Sequence, residues 1–498
     1  MNANRNSDEP IVPSTPTNKD AAEASAESVE GRGSAKRNTD QPASDRTQRR
    51  TPPSRSGLDS VREAARRNPQ LRFTALLHHV SEEALLGAFY DLKRNAAVGV
   101  DETTWHEYEQ DLEARLADLH GRIHRGAYRP KPSLRVWIPK ADGRERPLGI
   151  ASLEDKIVQQ ALLWILNCIY EQDFVGFSYG FRRFRCQHDA LDALTTALVT
   201  KRVNYVLDAD IQGFFDAIDH DRLLEFLSLR IGDRRVLRLI RKWLKAGIME
   251  DGEWSASQLG STQGSVISPL LSNVYLHYVL DLWVHWWRQH HASGDVVIVR
   301  YADDFVMGFE NRPDAEACLA AMRDRFADHG LTLHPDKTRL LEFGRFAAAN
   351  CRQRGEGKPE TFDFLGFTHV CGRTRRGGFI VWRLSMRKRL AASLLKVKQL
   401  LRKRINWRLG EVGRWLRSVA QGWLRYHAVP GNSIRVRRFL HALGRLWLQM
   451  LRRRSQRASR RWTWTRMVRV LRRYLPTPEI LHPYPEVRFR ARLKARAV

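Results

Sequence analysis

Acidic residues all but disappear from the last quarter of this sequence. From residue 383 to residue 498 there are 32 Lys and Arg against three acids, Glu411, Glu479 and Glu486. The rest of the chain holds 52 bases and 52 acids, so the entire net charge of +29 sits in one stretch. A solvated helix face mixes signs; one-signed charge on this scale points to a polyanion, nucleic acid first. Cysteine is scarce too. The five cysteines (168, 186, 318, 351 and 371) never form a C-x-x-C pair, which excludes a disulfide scaffold and a zinc finger and fits a reducing cytosol. Long apolar runs are missing as well. The most apolar stretch, 157–170, is broken by Gln159, Gln160 and Asn167 and falls short of the ~20 residues a membrane span needs. No apolar segment follows the N-terminal charges, so no secretory signal is read there. A soluble, cytoplasmic protein with no membrane partner is expected.

Residues 1–56 contain no Phe, Tyr or Trp and are rich in Ser, Thr, Pro, Asn, Asp and Glu. Such a segment cannot bury enough surface to offset its chain entropy and is expected to be disordered. With 43% hydrophobic residues overall, the remaining chain can form a core. Apolar spacing predicts helices over 80–94, 108–123, 153–170, 188–200 and 221–229, and strands over 134–138, 146–150 and 203–210. The first two strands flank Ala141-Asp142-Gly143, a turn tripeptide that predicts a hairpin. Ser268 is expected to cap a long helix beginning at Pro269 and running to 290. Residues 296–301 and 305–309 read as a second hairpin, and the chain from 385 to 476 reads as helical throughout.

Two patterns carry chemistry. In Tyr205-Val-Leu-Asp-Ala-Asp-Ile-Gln-Gly-Phe-Phe-Asp216 an apolar strand ends in acids, and alternation places Asp208 and Asp210 on one face. In Val296-Val-Ile-Val-Arg-Tyr-Ala-Asp-Asp-Phe-Val-Met307 two apolar runs flank Asp303 and Asp304 at a tight turn. An Asp-Asp pair in a turn is by itself ordinary, because Asp is a good turn former. Two acid-tipped strands in one basic protein are not ordinary. Carboxylates gathered at strand ends repel unless a hard cation neutralises them, and Mg²⁺ binds one or two carboxylates together with substrate phosphates. Two such ions serve phosphoryl transfer, so a nucleotidyl transferase is expected.

The ordered motifs resemble the group II intron reverse transcriptase/maturase family, from about residue 71 to residue 485. They are Gly99-Val-Asp101, Trp137-Ile-Pro-Lys-Ala-Asp-Gly-Arg-Glu-Arg-Pro-Leu-Gly-Ile150, Phe177-Ser-Tyr-Gly-Phe181, the Asp210 block, Thr262-Gln-Gly-Ser-Val-Ile-Ser-Pro-Leu-Leu271, Tyr301-Ala-Asp-Asp304, Leu333-His-Pro-Asp-Lys-Thr338, Phe364-Leu-Gly-Phe367, Gly422-Trp423 with Tyr426, and His482-Pro-Tyr-Pro485. The resemblance implies an α+β right-hand polymerase. Fingers and palm, an antiparallel sheet with helices, would occupy 57–370. A helical, basic thumb/maturase region would occupy 371–498.

It also implies roles. Asp210, Asp303 and Asp304 would be catalytic and hold two Mg²⁺ ions. Phe215, five residues after Asp210, would pack under the incoming sugar. Lys140 and Arg146 would grip the triphosphate, a task suited to the arginine fork. Gln263 and Gly264 would lie near the new base pair, where glycine permits close backbone approach. Asp208 is expected to be an exposed strand-end acid, and Lys337 to reach substrate or to serve structure. Most tryptophans of the basic quarter are expected in the core, with surrounding arginines, Arg452, Arg453 and Arg454 among them, on RNA phosphates. The partners implied are structured intron RNA, an RNA template, a DNA primer or target and dNTPs, in a bacterial cytosol or nucleoid.

The sequence departs from the family at Glu102 (usually glycine), at Thr262 (commonly proline) and at Arg182-Arg-Phe-Arg185, which replaces Arg-Pro-Gly-Arg. No Cys/His endonuclease module follows the thumb, so second-strand cleavage by this chain is not expected. Other functions remain open on the residues: a splicing factor with a vestigial polymerase site, an RNA-templated RNA polymerase, and a domesticated defence or CRISPR-associated reverse transcriptase.

Overall fold

The computed structural model describes residues 55–139, 145–250, 253–255, 259–260 and 264–488. The expected disorder of 1–56 and the 141–143 turn therefore lie outside the described residues, apart from the start of a helix at Arg55. Mixed helix and antiparallel sheet are followed by helices, as the sequence predicts.

Strands β1 (Ser133–Pro139) and β2 (Glu145–Ile150) form the first hairpin, with Ile138 opposite Arg146. Two short strands, β4 (Ile248–Glu250) and β5 (Glu253–Ser255), extend that sheet in the order β2-β1-β4-β5. In the chain β3 (Tyr205–Asp210) comes between β2 and β4, and β6 (Val296–Tyr301), β7 (Asp304–Phe309) and β8 (Arg339–Glu342) follow β5. These build a second sheet in the order β6-β7-β3-β8, with β3 antiparallel to both neighbours. A third sheet, β9 (Phe362–Phe364), β10 (Phe367–Arg373) and β11 (Phe379–Ser385), leads into the helices. The division drawn at 370/371 thus passes through β10, and the helical run begins at Arg387.

The β3 sheet is fixed by its alternation. Leu207 and Ala209 join the larger apolar core, whereas Val206 belongs to the opposite cluster with Val299, Val306 and Leu341. Helix Leu153–Asp173 runs through the larger core; its N-terminus is capped by Ser152, whose hydroxyl accepts from the Asp155 amide. A one-residue slip of β3 would exchange its core and acidic faces, so burial fixes the register. Helices Arg387–Lys403, Leu409–His427 and Ser433–Arg452 enclose a separate core in which Trp447 is fully buried. Trp415, Trp423, Trp462 and Trp464 pack against it, as expected, while Trp407 is exposed.

Three expectations need correction. The predicted helix over 108–123 is two helices, Trp105–Gln110 and Leu112–His124, broken at Asp111. The long helix over 269–290 is interrupted by a π-helical segment, His277–Asp281. Ser268 is not a cap: it is the first helical residue and buried, and Ile267 stands at the cap without a side-chain hydrogen bond. Proline tolerates the first turn because it has no amide to lose there.

Candidate active site

Asp210 ends β3, Asp304 begins β7, and the register places them directly opposite one another. Asp303 precedes Asp304 in the β6–β7 turn. The end of β3 and the start of β7 therefore bring three carboxylates to one end of the sheet. Burial, followed by the charges of Asp208, Asp303 and Asp210, pushes the Asp304 carboxyl up to about 7, with Arg389 opposing. Buried carboxylates that raise one another in this way make a candidate cation site.

Asp208 lies on the same face as Asp210. It is half-buried and ion-paired to Arg339 at 3.3 Å, which corrects the expectation of an exposed acid. Burial raises its carboxyl even so, against the pull of Arg339. Lys337 pairs with the Asp210 carboxylate. The 333–338 block comes this close because Leu333 bridges to Ile211 and the His334 amide donates to the Asp210 carbonyl at 2.8 Å. Among the described residues, no three His, Cys, Asp or Glu side chains form a closed metal cage. Hard carboxylate oxygens completed by substrate phosphates are nevertheless the donor set that Mg²⁺ takes.

The acidic turn is fixed from behind by residues that sequence reasoning missed. Arg300 and Asp281 are both completely buried and joined at two points, 2.6 Å from Nε and 2.5 Å from a terminal nitrogen. Arg300 also donates to the Ala302 carbonyl at 2.9 Å and to the Asn273 side-chain oxygen at 3.0 Å. Asn273 in turn donates to the Gly180 carbonyl at 2.7 Å. Gly180 has no alternative: a Cβ there would lie 2.2 Å from the Ala302 nitrogen. Ala302 itself is left-handed, with φ +60°, a conformation that fixed surroundings must sustain. The apolar pattern of β6 contained Arg300 as an interruption, and that was its only signal in the sequence.

The remaining predicted residues divide. Phe215 is half-buried and meets Phe214 edge-on at 5.5 Å, while Phe214 itself is core. Gly264 has φ +114°, and a Cβ there would come 2.7 Å from the Gly149 carbonyl of β2, so this glycine seats the 264–267 segment against the first hairpin. Arg146 lies on β2; Lys140 and Gln263 lie outside the described residues. The Arg452–Arg454 cluster stands elsewhere, where the helix Ser433–Arg452 ends. Arg452 donates to the Trp462 carbonyl at 2.8 Å and Arg454 to the Trp407 carbonyl at 2.6 Å, so both also tie the helical region together.

Residues 138–369, which hold the β3 sheet and the acids at its tip, match the reverse transcriptase (RNA-dependent DNA polymerase) family. The chain is 32% identical to protein YkfC of Escherichia coli K12 over 311 residues, 55% of this chain and 81% of that protein. It is 38% identical to the group II intron-encoded protein LtrA of Lactococcus lactis over 175 residues, 34% of this chain and 29% of LtrA. A 91 kDa protein in the cob intron of Schizosaccharomyces pombe is 42% identical over 146 residues, 29% of this chain and 18% of its own length. The chain belongs to the group II intron reverse transcriptase/maturase family. The matched stretches span less than a third of the two intron proteins. No helix among the described residues is long and apolar enough to cross a membrane.

Proposed function

We propose that this chain is an RNA-directed DNA polymerase that copies RNA into DNA and assists splicing and mobility of a group II intron RNA. The observation that carries the reading is the register that sets Asp210 opposite Asp304 with Asp303 in the adjoining turn. Asp210, Asp303 and Asp304 would hold two Mg²⁺ ions, which supply activation of the attacking oxygen and stabilisation of the leaving oxygen. The protein's part is placement. The buried Arg300–Asp281 pair keeps the Asp303 turn from yielding to carboxylate repulsion. Lys337 neutralises Asp210 until substrate arrives. Phe215 offers a half-buried ring beneath the sugar, and Lys140, Arg146, Gln263 and Gly264 receive the triphosphate and the new base pair.

In this reading residues 57–370 are fingers and palm, and residues 371–498 are a thumb that holds template–primer and intron RNA through its bases. The test is primer extension with dNTPs on an RNA template in Mg²⁺. Asp303→Asn, nearly isosteric but uncharged, is expected to remove most activity and to leave RNA binding and thermal stability unchanged. Extension by the Asn variant at the parent rate would overturn the metal assignment. RNA binding and splicing assistance without extension by the parent would favour the splicing factor with a vestigial site.

A further inference from the structure

Two bulky side chains stand in solvent on strained backbone beside the acidic turn. Phe181 has φ +58° and Phe184 has φ +59°, and they are 55% and 54% exposed. A left-handed backbone is a genuine outlier for a bulky residue, and a ring more than half exposed recovers little by burial. Glycine would relieve the strain, and glycine is what the resembling family carries at the position of Phe184.

The surroundings hold the conformation in place. Arg182 is buried, pairs with Glu171 at 3.1 Å and donates to the carbonyls of Val175 at 2.7 Å and Ser178 at 2.9 Å. Arg185, also buried, donates to the Ser178 carbonyl at 2.8 Å and to the Gly176 carbonyl. At the other end Gly180 is wedged against Ala302, one residue from Asp303. Arg183 points outward, its guanidinium 5.5 Å from the Phe184 ring centroid. Strain retained this way clusters at functional sites. Two exposed rings with a cation match a flat aromatic group that carries a negative charge. A nucleobase with its phosphate is such a group, and only an unpaired base offers its face.

We propose that Phe181 and Phe184 form a stacking platform for unpaired bases of the nucleic-acid strand at the acidic site, with Arg183 on the neighbouring phosphate. The proposal rests on the polymerase reading for the identity of that strand. Base–aromatic stacking tolerates any sequence and is lost with the base or with the ring.

The experiment uses the full chain and an RNA template–DNA primer with a single-stranded template overhang, in a series carrying one abasic site at successive overhang positions. Affinity is read by fluorescence anisotropy at fixed salt. For the parent, removing the base at one or two positions is expected to weaken binding about tenfold. In Phe184→Gly and Phe181→Ala the same abasic sites should have no further effect. Phe184→Tyr should restore sensitivity, and Phe184→Leu, apolar but without a ring, should not. Phe184→Gly is expected to melt at or above the parent temperature, because it relieves strain. Abasic sensitivity that persists unchanged in the Gly and Ala variants overturns the platform alone. A parent that fails to bind template–primer overturns the polymerase reading together with it.

Discussion

Arg300 and Asp281 face each other with no exposed surface on either side chain, one on β6 and the other on the last residue of the π-helical segment. A fully buried charge pair is weak as a source of stability, but the loss of one partner strands the other charge in a low-dielectric interior. The same guanidinium holds the Ala302 carbonyl. Folding and the pose of Asp303 are therefore coupled through one side chain.

Asp281→Asn keeps the shape and removes the charge. It is expected to destabilise the protein by about 3–5 kcal/mol, read from urea unfolding, with primer extension falling in parallel. Arg300→Lys keeps the charge but not the two-point fork and should also lose activity. An Asn variant that unfolds at the parent urea concentration would show the pair to be dispensable.

The two neighbouring phenylalanines after Asp210 should separate cleanly. Phe214 is buried in the core, so Phe214→Ala is expected to cost about 3–5 kcal/mol of stability. Phe215 is half-buried, and Phe215→Ala should cost less and instead admit ribonucleotides more readily, because the ring would exclude a 2′-hydroxyl. Single-turnover incorporation of matched dNTP and NTP measures the ratio. An unchanged sugar preference would place the wall at another residue.

The hairpins, the acid-tipped strands and the helical basic quarter were legible because each writes a pattern into the sequence: alternation for β3, continuous apolar runs for β6 and β7, and a 3.6-residue stripe for the later helices. What was not legible depends on contacts remote in the chain. The helical period over 269–290 is continuous, so nothing local announced a π segment that turns Asp281 inward. Asp208 read as exposed because its partner Arg339 lies 131 residues away. Nor did the sequence show that Arg452 and Arg454 also hold carbonyls, because those partners, on Trp462 and Trp407, belong to other turns of the helical region.

Acid should weaken the fold through histidines buried in the neutral state. His369 stacks flat on Phe362, ring centroids 4.7 Å apart, and burial, with Arg383 adding to it, holds its imidazole down at about 3. The unfolded chain takes up this proton near the ordinary value of 6.5, so the folded state binds fewer protons between about 3 and 6.5. Stability contributed by His369 is then complete above pH 6.5 and falls as pH drops, by at most about 1.4 kcal/mol per pH unit. His369→Phe, which keeps a stacked ring, should flatten the dependence of urea midpoint on pH over that window. An identical slope would mean that the imidazole is already charged in the native state.

The arginine cluster at the end of helix Ser433–Arg452 has two jobs that substitution can separate. Arg452 and Arg454 each hold a backbone carbonyl, so changing either to Gln removes an intramolecular hydrogen bond worth about 1 kcal/mol and should lower the melting temperature. Arg453, which caps the helix C-terminus through its backbone, is the member whose substitution reports on RNA alone. If its side chain meets a phosphate, Arg453→Gln should weaken structured-RNA binding and reduce the log–log salt slope by about 0.7–0.9, the contribution of one released counterion. Its melting temperature should stay at the parent value, and extension on a saturating short template–primer should survive better than RNA affinity. Salt titrations of the parent and the three single variants decide the matter. A slope unchanged in all three would make the cluster a structural tie of the helical region and leave RNA binding to the other bases of the basic quarter.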